Sequence, residues 1–512
     1  MRKYDRSIVA AGHPLVSQAA GEILEAGGNA FDAVVAAGFA SAVVEPALTS
    51  LGGGGFMLGH VEKSGQDIFF DFFVDTPGKG SKLNKPDDFY AVTVDFSGAS
   101  QDFHIGSGSV AVPGVLKGLL HSHKRLGRMS LKDVLEPARQ YILGHHLHEQ
   151  QGHFLTLLHP ILTRNERGRR VYAPRGIPLG PGDLLVNLEA SVFLEQLVED
   201  RGENFYRGEL AAQIALEMRE KGGLLTREDL AGYTVYERKP LNIPCWSGHF
   251  LTPSEPSMGG SLIGLAISLR SGMEMAEKPK WCSAEHLLGS VGLMQEVERL
   301  RDIGVTNPER LKQFCDGVEI KESLDHIRLF PRGTTHVSVA DSWGNCAAMT
   351  CSNGEGSGYV VPDCGIMLNN MMGEDDLHPQ GFHSTPPGKR VFSMMSPSLF
   401  LRDGSVELVI GSGGSKRIRT AIVQVLDHVV GFERSLTEAV AAPRLHLDKG
   451  VLQVEPGLDE QVVERLRSVI DLNLWPQKDV YFGGVHAVIP GKDGVGDSRR
   501  GGAVATILHP EA

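Results

Sequence analysis

Four consecutive glycines, Gly52–Gly55, come shortly after a run of small apolar residues from Ala33 to Val44, and this pairing narrows the possible architectures more than anything else in the chain. Small side chains on a helix, with bare backbone just beyond it, both call for close neighbours, so this end of the chain belongs inside a densely packed body. Glycine is enriched throughout, at 62 of 512 residues against a usual share of about 7%, and it clusters without a period, which excludes a collagen-like repeat. With 41% apolar and 22% charged residues the composition is that of a globular protein, neither disordered nor coiled-coil. At about 150 residues per domain the length allows roughly three domains or one large α/β unit. No repeat or low-complexity linker marks a boundary between domains.

Leu15, Val16, Ala19, Ala20, Ile23 and Leu24 recur at helical spacing, and Gly27-Gly28 supplies a left-handed stop. A second helix is expected from near Asn29 through Asp32, Ala36 and Ala40 to Val44, ended by Glu45-Pro46. From about Ser130 to Arg328 the chain reads mainly helical, most clearly over 131–143, 188–198, 210–221 and 284–301. Beyond Gly333 the pattern changes to strands: 336–340 and 345–350 flank the turn Asp341-Ser342-Trp343-Gly344. A strand at 406–410 then leads through Gly411-Ser412-Gly413-Gly414-Ser415 into an apolar helix from about Ile418 to Val430, and 503–508 closes the chain as a strand.

The formal charge of −12, from 50 basic and 62 acidic side chains, leaves no footprint for a polyanion, so nucleic acid is not expected as a partner. Arg164, Arg167, Arg169, Arg170 and Arg175 form a basic run, but Glu166 interrupts it and no aromatic residue interleaves 164–170; a solvated loop is the simpler reading. Cys245, Cys282, Cys315, Cys346, Cys351 and Cys364 contain no Cys-x-x-Cys pair, and free thiols in a reducing compartment are expected. The start Met1-Arg2-Lys3-Tyr4-Asp5-Arg6 has no apolar signal-peptide core behind it, and Ala33 to Val44 is too short to span a bilayer. These features predict a cytoplasmic protein with no membrane partner.

His145, His146, His148, His153 and His159 lie close together, but His148 and His153 are five apart, not the four that would set both imidazoles on one helical face. No metal site and no cofactor are expected. The turn at 411–415 can present backbone amides to negative charge, and it reads either as tight packing or as an oxyanion hole. Thr334, in Gly333-Thr334-Thr335-His336, opens the hairpin. An internal threonine has no base of its own. Cut free at its N-terminal side, it would have an α-amino group, with a reference pKa of about 8, beside the hydroxyl to take its proton.

Several blocks follow one another along the chain: AAGEILEAGGNAFDA at 19–33, GGGGFM at 52–57, VPG at 112–114 with EPA at 136–138, LTREDL at 225–230, TTH at 334–336, LNN at 368–370, MSP at 395–397 and EAVAAPR at 438–444. In their number and order they resemble the gamma-glutamyltranspeptidase family of N-terminal nucleophile hydrolases, from about Ser7 to Leu508. The resemblance implies an α/β (α+β) fold, a four-layer αββα sandwich, made as one precursor that cuts itself before Thr334. Chains 1–333 and 334–512 would result, intertwined in one αββα domain. Thr334 would be the nucleophile and its amine the general base, forming an acyl-enzyme that water or an amine resolves. The same resemblance places Ser352 where a hydroxyl supports the nucleophile, Asn353 near the substrate-amine ligand, Ser393 at the first of two paired serines, and Gly413-Gly414 at the oxyanion hole. An ungapped match shifts that last pair to Gly414-Ser415.

The departures bear on the substrate. Where glutamate-specific members carry an arginine that clamps the α-carboxylate, this chain reads Asp71-Phe72-Phe73-Val74-Asp75-Thr76-Pro77, so Phe73 removes a bidentate contact no apolar side chain can imitate. Met371 replaces a glutamine, Glu374 is the best match for the aspartate that grips the substrate amine, and Met394 replaces the second serine. The segment from Glu374 to Ser393 is short for the family, which predicts a reduced lid. The expected protein is an autoprocessed threonine hydrolase or acyltransferase acting on a γ-glutamyl or related small amide. An acylase for a non-glutamyl acyl group and a non-catalytic binding module are the alternatives. Lys416, Arg417 and Arg419 offer another anchor for an acidic group, or simply face solvent. The partners expected are the small amide substrate and the two chains of one precursor, with a homo-oligomer possible.

Overall fold

The computed structural model describes residues 3–509, apart from 82, 84, 97–98, 274–277, 303–332 and 379. Cys315 and the last part of the helical middle therefore lie outside the described residues. His13 accepts a hydrogen bond from the Leu15 amide and Pro14 occupies the first helical turn, opening the helix Pro14–Glu25. It stops at Gly27, whose φ of +93° suits only a residue without a Cβ. Asn29 and Asp32 then form a reciprocal capping box that starts Ala30–Val44. All but one of that helix's residues are buried, because neighbours pack on every side of its small side chains.

Two antiparallel sheets form the centre. The first has seven strands, in the order Ala503–Leu508, Arg6–Ala11, Thr335–Ala340, Cys346–Ser352, Gly54–Val61, Gln66–Phe72 and Tyr236–Arg238. The second has six, in the order Asp493–Val495, Gly484–Ile489, Ser405–Gly413, Ser398–Arg402, Gly248–Thr252 and Leu241–Cys245. Side chains alternate across a strand, and here both faces are buried. Val9, Met57, Val337, Val339 and Met349 join one core with the helices Pro14–Glu25, Ala30–Val44, Val115–Leu126 and Leu131–Ile142. Ile8, Phe56, Phe69, Ala340 and Ala348 join a second core with Leu399, Leu408 and Ile410 of the facing sheet and with the helices Met258–Gly272 and Arg417–Leu426. Phe56 and Phe69 meet edge to face at 5.1 Å in this second core. Helix, sheet, sheet, helix is the four-layer αββα arrangement.

The strand expected at 406–410 runs on to Gly413, so the glycine turn begins inside the sheet, and the helix after it spans Arg417–Leu426 before a π turn at Asp427–Gly431. Arg164, Arg167, Arg170 and Arg175 are ion-paired to Asp88, Glu217, Glu189 and Asp183, which leaves the basic run internally balanced. Among the described residues no group of three or more His, Cys, Asp and Glu could hold a metal ion, and no helix is long and apolar enough to cross a membrane.

Candidate active site

The strand Thr335–Ala340 lies inside the seven-stranded sheet, between Arg6–Ala11 and Cys346–Ser352, so Thr334 enters the protein at the middle of its core. Alternation sends Thr335 toward the helical layer and His336 toward the facing sheet. Thr335 donates its hydroxyl hydrogen bond to Glu45 Oε2 at 2.9 Å. His336 Nδ1 is 2.8 Å from Thr350 Oγ1 and its Nε2 is 3.0 Å from Ser338 Oγ. Ser338 gives its one proton to the His486 carbonyl, so Nε2 must donate and Nδ1 must accept. Burial pushes the His336 pKa well below its usual value, and a neutral ring is what this network requires. His336 is thus a brace for the strand.

Thr334 is buried at the edge of a cavity. Ser352, Phe73, Met371, Glu374, Ser393, Met394 and Ser415, all singled out from the sequence, line the same space. Ser352 Oγ donates to the carbonyl oxygen of Gly333 at 2.5 Å and accepts from the Gly354 amide at 3.0 Å. The hydroxyl therefore polarises the carbonyl of the Gly333–Thr334 peptide bond. The glycine run explains how Ser352 is approached so closely: a Cβ on Gly53 would fall on the Ser352 carbonyl oxygen.

Gly413, Gly414 and Asn353 do not line the cavity. Gly413 instead lies against the backbone of Thr334, where a Cβ would collide with its carbonyl oxygen and sit 3.2 Å from Arg500 Nη1. Arg500, fully enclosed, donates to that same Thr334 oxygen at 3.3 Å and to the Val480 carbonyl at 3.4 Å. Burial lowers its pKa to about 10, still leaving it charged at neutral pH. Burial also pushes the Glu45 carboxyl up to about 7, against the hydrogen bond from Thr335 and the attraction of Arg500. Asn353 is buried with its Oδ1 unpartnered, and its Nδ2 approaches Gly356. Sequence reading missed Glu45 and Arg500; Glu45-Pro46 signals only a helix end, and nothing in its spacing marks a buried acid.

The remaining walls are fixed by ion pairs. Ser415, at φ +53°, donates to Asp376 Oδ2 at 3.2 Å, and Lys416 Nζ meets Asp376 Oδ1 at 3.1 Å. Arg417 is buried, with Nε on the Tyr481 carbonyl at 3.0 Å, and Arg419 is paired to Glu298. The cations beside the glycine turn are thus held within the protein. Behind Phe73, whose carbonyl oxygen accepts from Tyr233 at 2.6 Å and from Arg390, the Arg390 guanidinium is bound 3.3 Å from each of Asp71 and Asp75.

An αββα sandwich with a threonine at the head of an internal strand, a hydroxyl on the preceding carbonyl and a glycine turn opposite defines an N-terminal nucleophile hydrolase. The chain belongs to the gamma-glutamyltranspeptidase family, whose model matches residues 16–507. Acylase ACY 1 proenzyme of Pseudomonas sp. strain SE83 is 30% identical over 498 residues, covering 90% of this chain and 86% of its own. Glutathione hydrolase proenzyme of Escherichia coli strain K12 is also 30% identical, over 512 residues, covering 90% and 85%. The crystal structure of cephalosporin acylase from Bacillus halodurans superposes with a TM-score of 0.81 over 98% of this chain and 96% of that one, at 23% identity, and so shares the fold.

Proposed function

We propose that the chain is a precursor that cuts itself between Gly333 and Thr334 and then works as an N-terminal threonine hydrolase or acyltransferase on a γ-glutamyl or related small amide. The observation that carries this reading is the Ser352 hydroxyl on the Gly333 carbonyl oxygen, at the rim of the cavity that holds Thr334. In the cut, Thr334 Oγ adds to the Gly333 carbonyl carbon, the C–N bond breaks, and water hydrolyses the resulting ester, leaving a Gly333 carboxylate and a free Thr334 amine. In turnover that amine accepts the hydroxyl proton as Oγ adds to the substrate carbonyl, then passes it to the departing amine. Water or a second amine attacks the acyl ester, releases the acid or new amide, and restores the hydroxyl.

Chains 1–333 and 334–512 would both contribute to one αββα body. The buried free thiols of Cys346, Cys351 and Cys364 support a reducing, cytoplasmic setting. Names of relatives include both a glutathione hydrolase and an acylase, which accords with amide chemistry of either kind. Intact mass and N-terminal sequencing after incubation at neutral pH test the proposal. A small chain beginning Thr-Thr-His-Val is the expected result, and Thr334→Ala should remain whole and inactive. A Thr334→Ala protein that still appears as two chains would overturn it.

A further inference from the structure

We infer that Arg500 is a positioning residue that acts through Thr334: it holds the Thr334 carbonyl, and its fixed charge keeps the freed amine unprotonated near neutral pH. This rests on Thr334 being the nucleophile. The side chain reaches its place along a path kept clear by glycine. A Cβ at Gly484 would stand 2.5 Å from Arg500 Cδ, and one at Gly413 would stand 3.2 Å from Nη1. The guanidinium ends on two backbone oxygens, of Thr334 and Val480, with Nε unpartnered. Its neighbours Arg444 and Arg499 are balanced by Asp497 and Glu455. Among the described residues no carboxylate is close enough to pair with Arg500. A buried cation without an acid is costly, and such groups concentrate at functional sites.

The amine belongs to the same residue as the contacted oxygen. Bond lengths keep the two within about 3.6 Å, which sets the amine within about 7 Å of the guanidinium. Protonating it would place two positive charges in an enclosed space where their repulsion is little screened, so the free base is favoured. The other charged groups act as follows. His336 and His486 are neutral because burial lowers their pKa values, to about 4 for His486. Asp376 is offset by Lys416, Asp497 is held by Arg444 and Arg499, and Asp479 caps the turn Val480–Phe482. Arg417 repels Arg500 and adds to the positive field. Glu374 on the cavity wall, Glu45 once it ionises near pH 7, and the Gly333 carboxylate made by the cut act in the opposite sense. Among the described residues Arg500 is the charged group bonded to Thr334 itself, and it keeps its charge up to about pH 10.

Hydrolysis of 4-nitrophenyl acetate by the processed protein, with Thr334→Ala as the blank, gives kcat/KM from about pH 5 to 8.5. The acid limb should have its midpoint at about 7 or below, lower than an ordinary α-amine at about 8. Arg500→Gln keeps a donor for the Thr334 carbonyl and loses the charge. Its midpoint should rise by about one pH unit, which lowers kcat/KM on the acid side about tenfold more than on the alkaline plateau. Arg500→Lys keeps the charge and should stay with the parent, whereas Glu374→Gln should move the midpoint down. Because Glu45 titrates in the same range, the comparison is repeated in Glu45→Gln, where the rise should persist. A parent midpoint at about 8 or above overturns the inference without any variant. So does a folded, self-cut Arg500→Gln whose midpoint coincides with the parent's, and in both cases Thr334 remains the nucleophile. A parent that is neither cut nor acylated at Thr334 overturns both readings.

Discussion

Replacing Glu45 by glutamine should make the protein more resistant to unfolding as the pH rises. The carboxyl is enclosed beneath the strand Thr335–Ala340, and burial moves its pKa from an ordinary 4.5 up to about 7. Below pH 4.5 the folded and unfolded states both carry the proton. Between 4.5 and 7 the folded state keeps a proton that the unfolded chain has released, so stability falls through that window, and above 7 the full cost is present. A displacement of this size corresponds to about 3 kcal/mol. Glutamine keeps an oxygen for the Thr335 hydroxyl and carries no charge, so Glu45→Gln should lose this pH-dependent cost. The comparison belongs in a Thr334→Ala background, which keeps one chain and makes urea unfolding interpretable. Between pH 4.5 and 8 the stability of Glu45→Gln relative to its parent should grow by about 3 kcal/mol. A difference that stays constant over that range, or shrinks as pH rises, would refute the buried-acid account.

Ser352→Ala removes the donor on the Gly333 carbonyl and should slow self-cutting by about 100-fold with the fold retained, as followed by gel and circular dichroism; cutting at the parent rate would show the hydroxyl to be idle. Gly413→Ala drives a methyl group into the Thr334 carbonyl oxygen, so it should destabilise the protein by about 1–3 kcal/mol and slow cutting, and an unchanged melting temperature and rate would contradict the close packing described.

Much of the fold was legible because local signals agreed. Asn29 and Asp32 cap the helix that the small-residue run predicted, Gly27 ends the one before it, and the turn at 341–344 joins the strands foreseen on either side. The strand at 406–410 read short because Gly411 and Gly413 carry no side-chain periodicity, although the neighbouring strand pairs with them through Gly413. Eight candidate residues meet in one cavity because their family blocks, far apart in sequence, are brought together by the two sheets. What sequence could not display was the charge beneath them. Glu45, Arg500 and Arg390 each look like surface residues on a helix end, a glycine-rich tail and a loop, and only long-range packing buries them. Asn353, which the resemblance sets near the substrate-amine ligand, is buried outside the cavity lining, with its Nδ2 near Gly356.

Thr335–Ala340 is flanked on one side by a strand from residues 6–11 and on the other by 346–352, and 503–508 pairs with 6–11 in turn. If the peptide bond before Thr334 is severed, the seams of 503–508 with 6–11, of 6–11 with 335–340 and of 346–352 with 54–61 each join different polypeptides. Folding is easiest while one covalent thread carries both halves, since bringing the partners together costs only loop closure. Afterwards the same encounter becomes bimolecular and depends on concentration. Maturation would thus turn a protein able to find its structure repeatedly into one that has to keep it, and its working lifetime would be set by how slowly it opens rather than by how readily it re-forms.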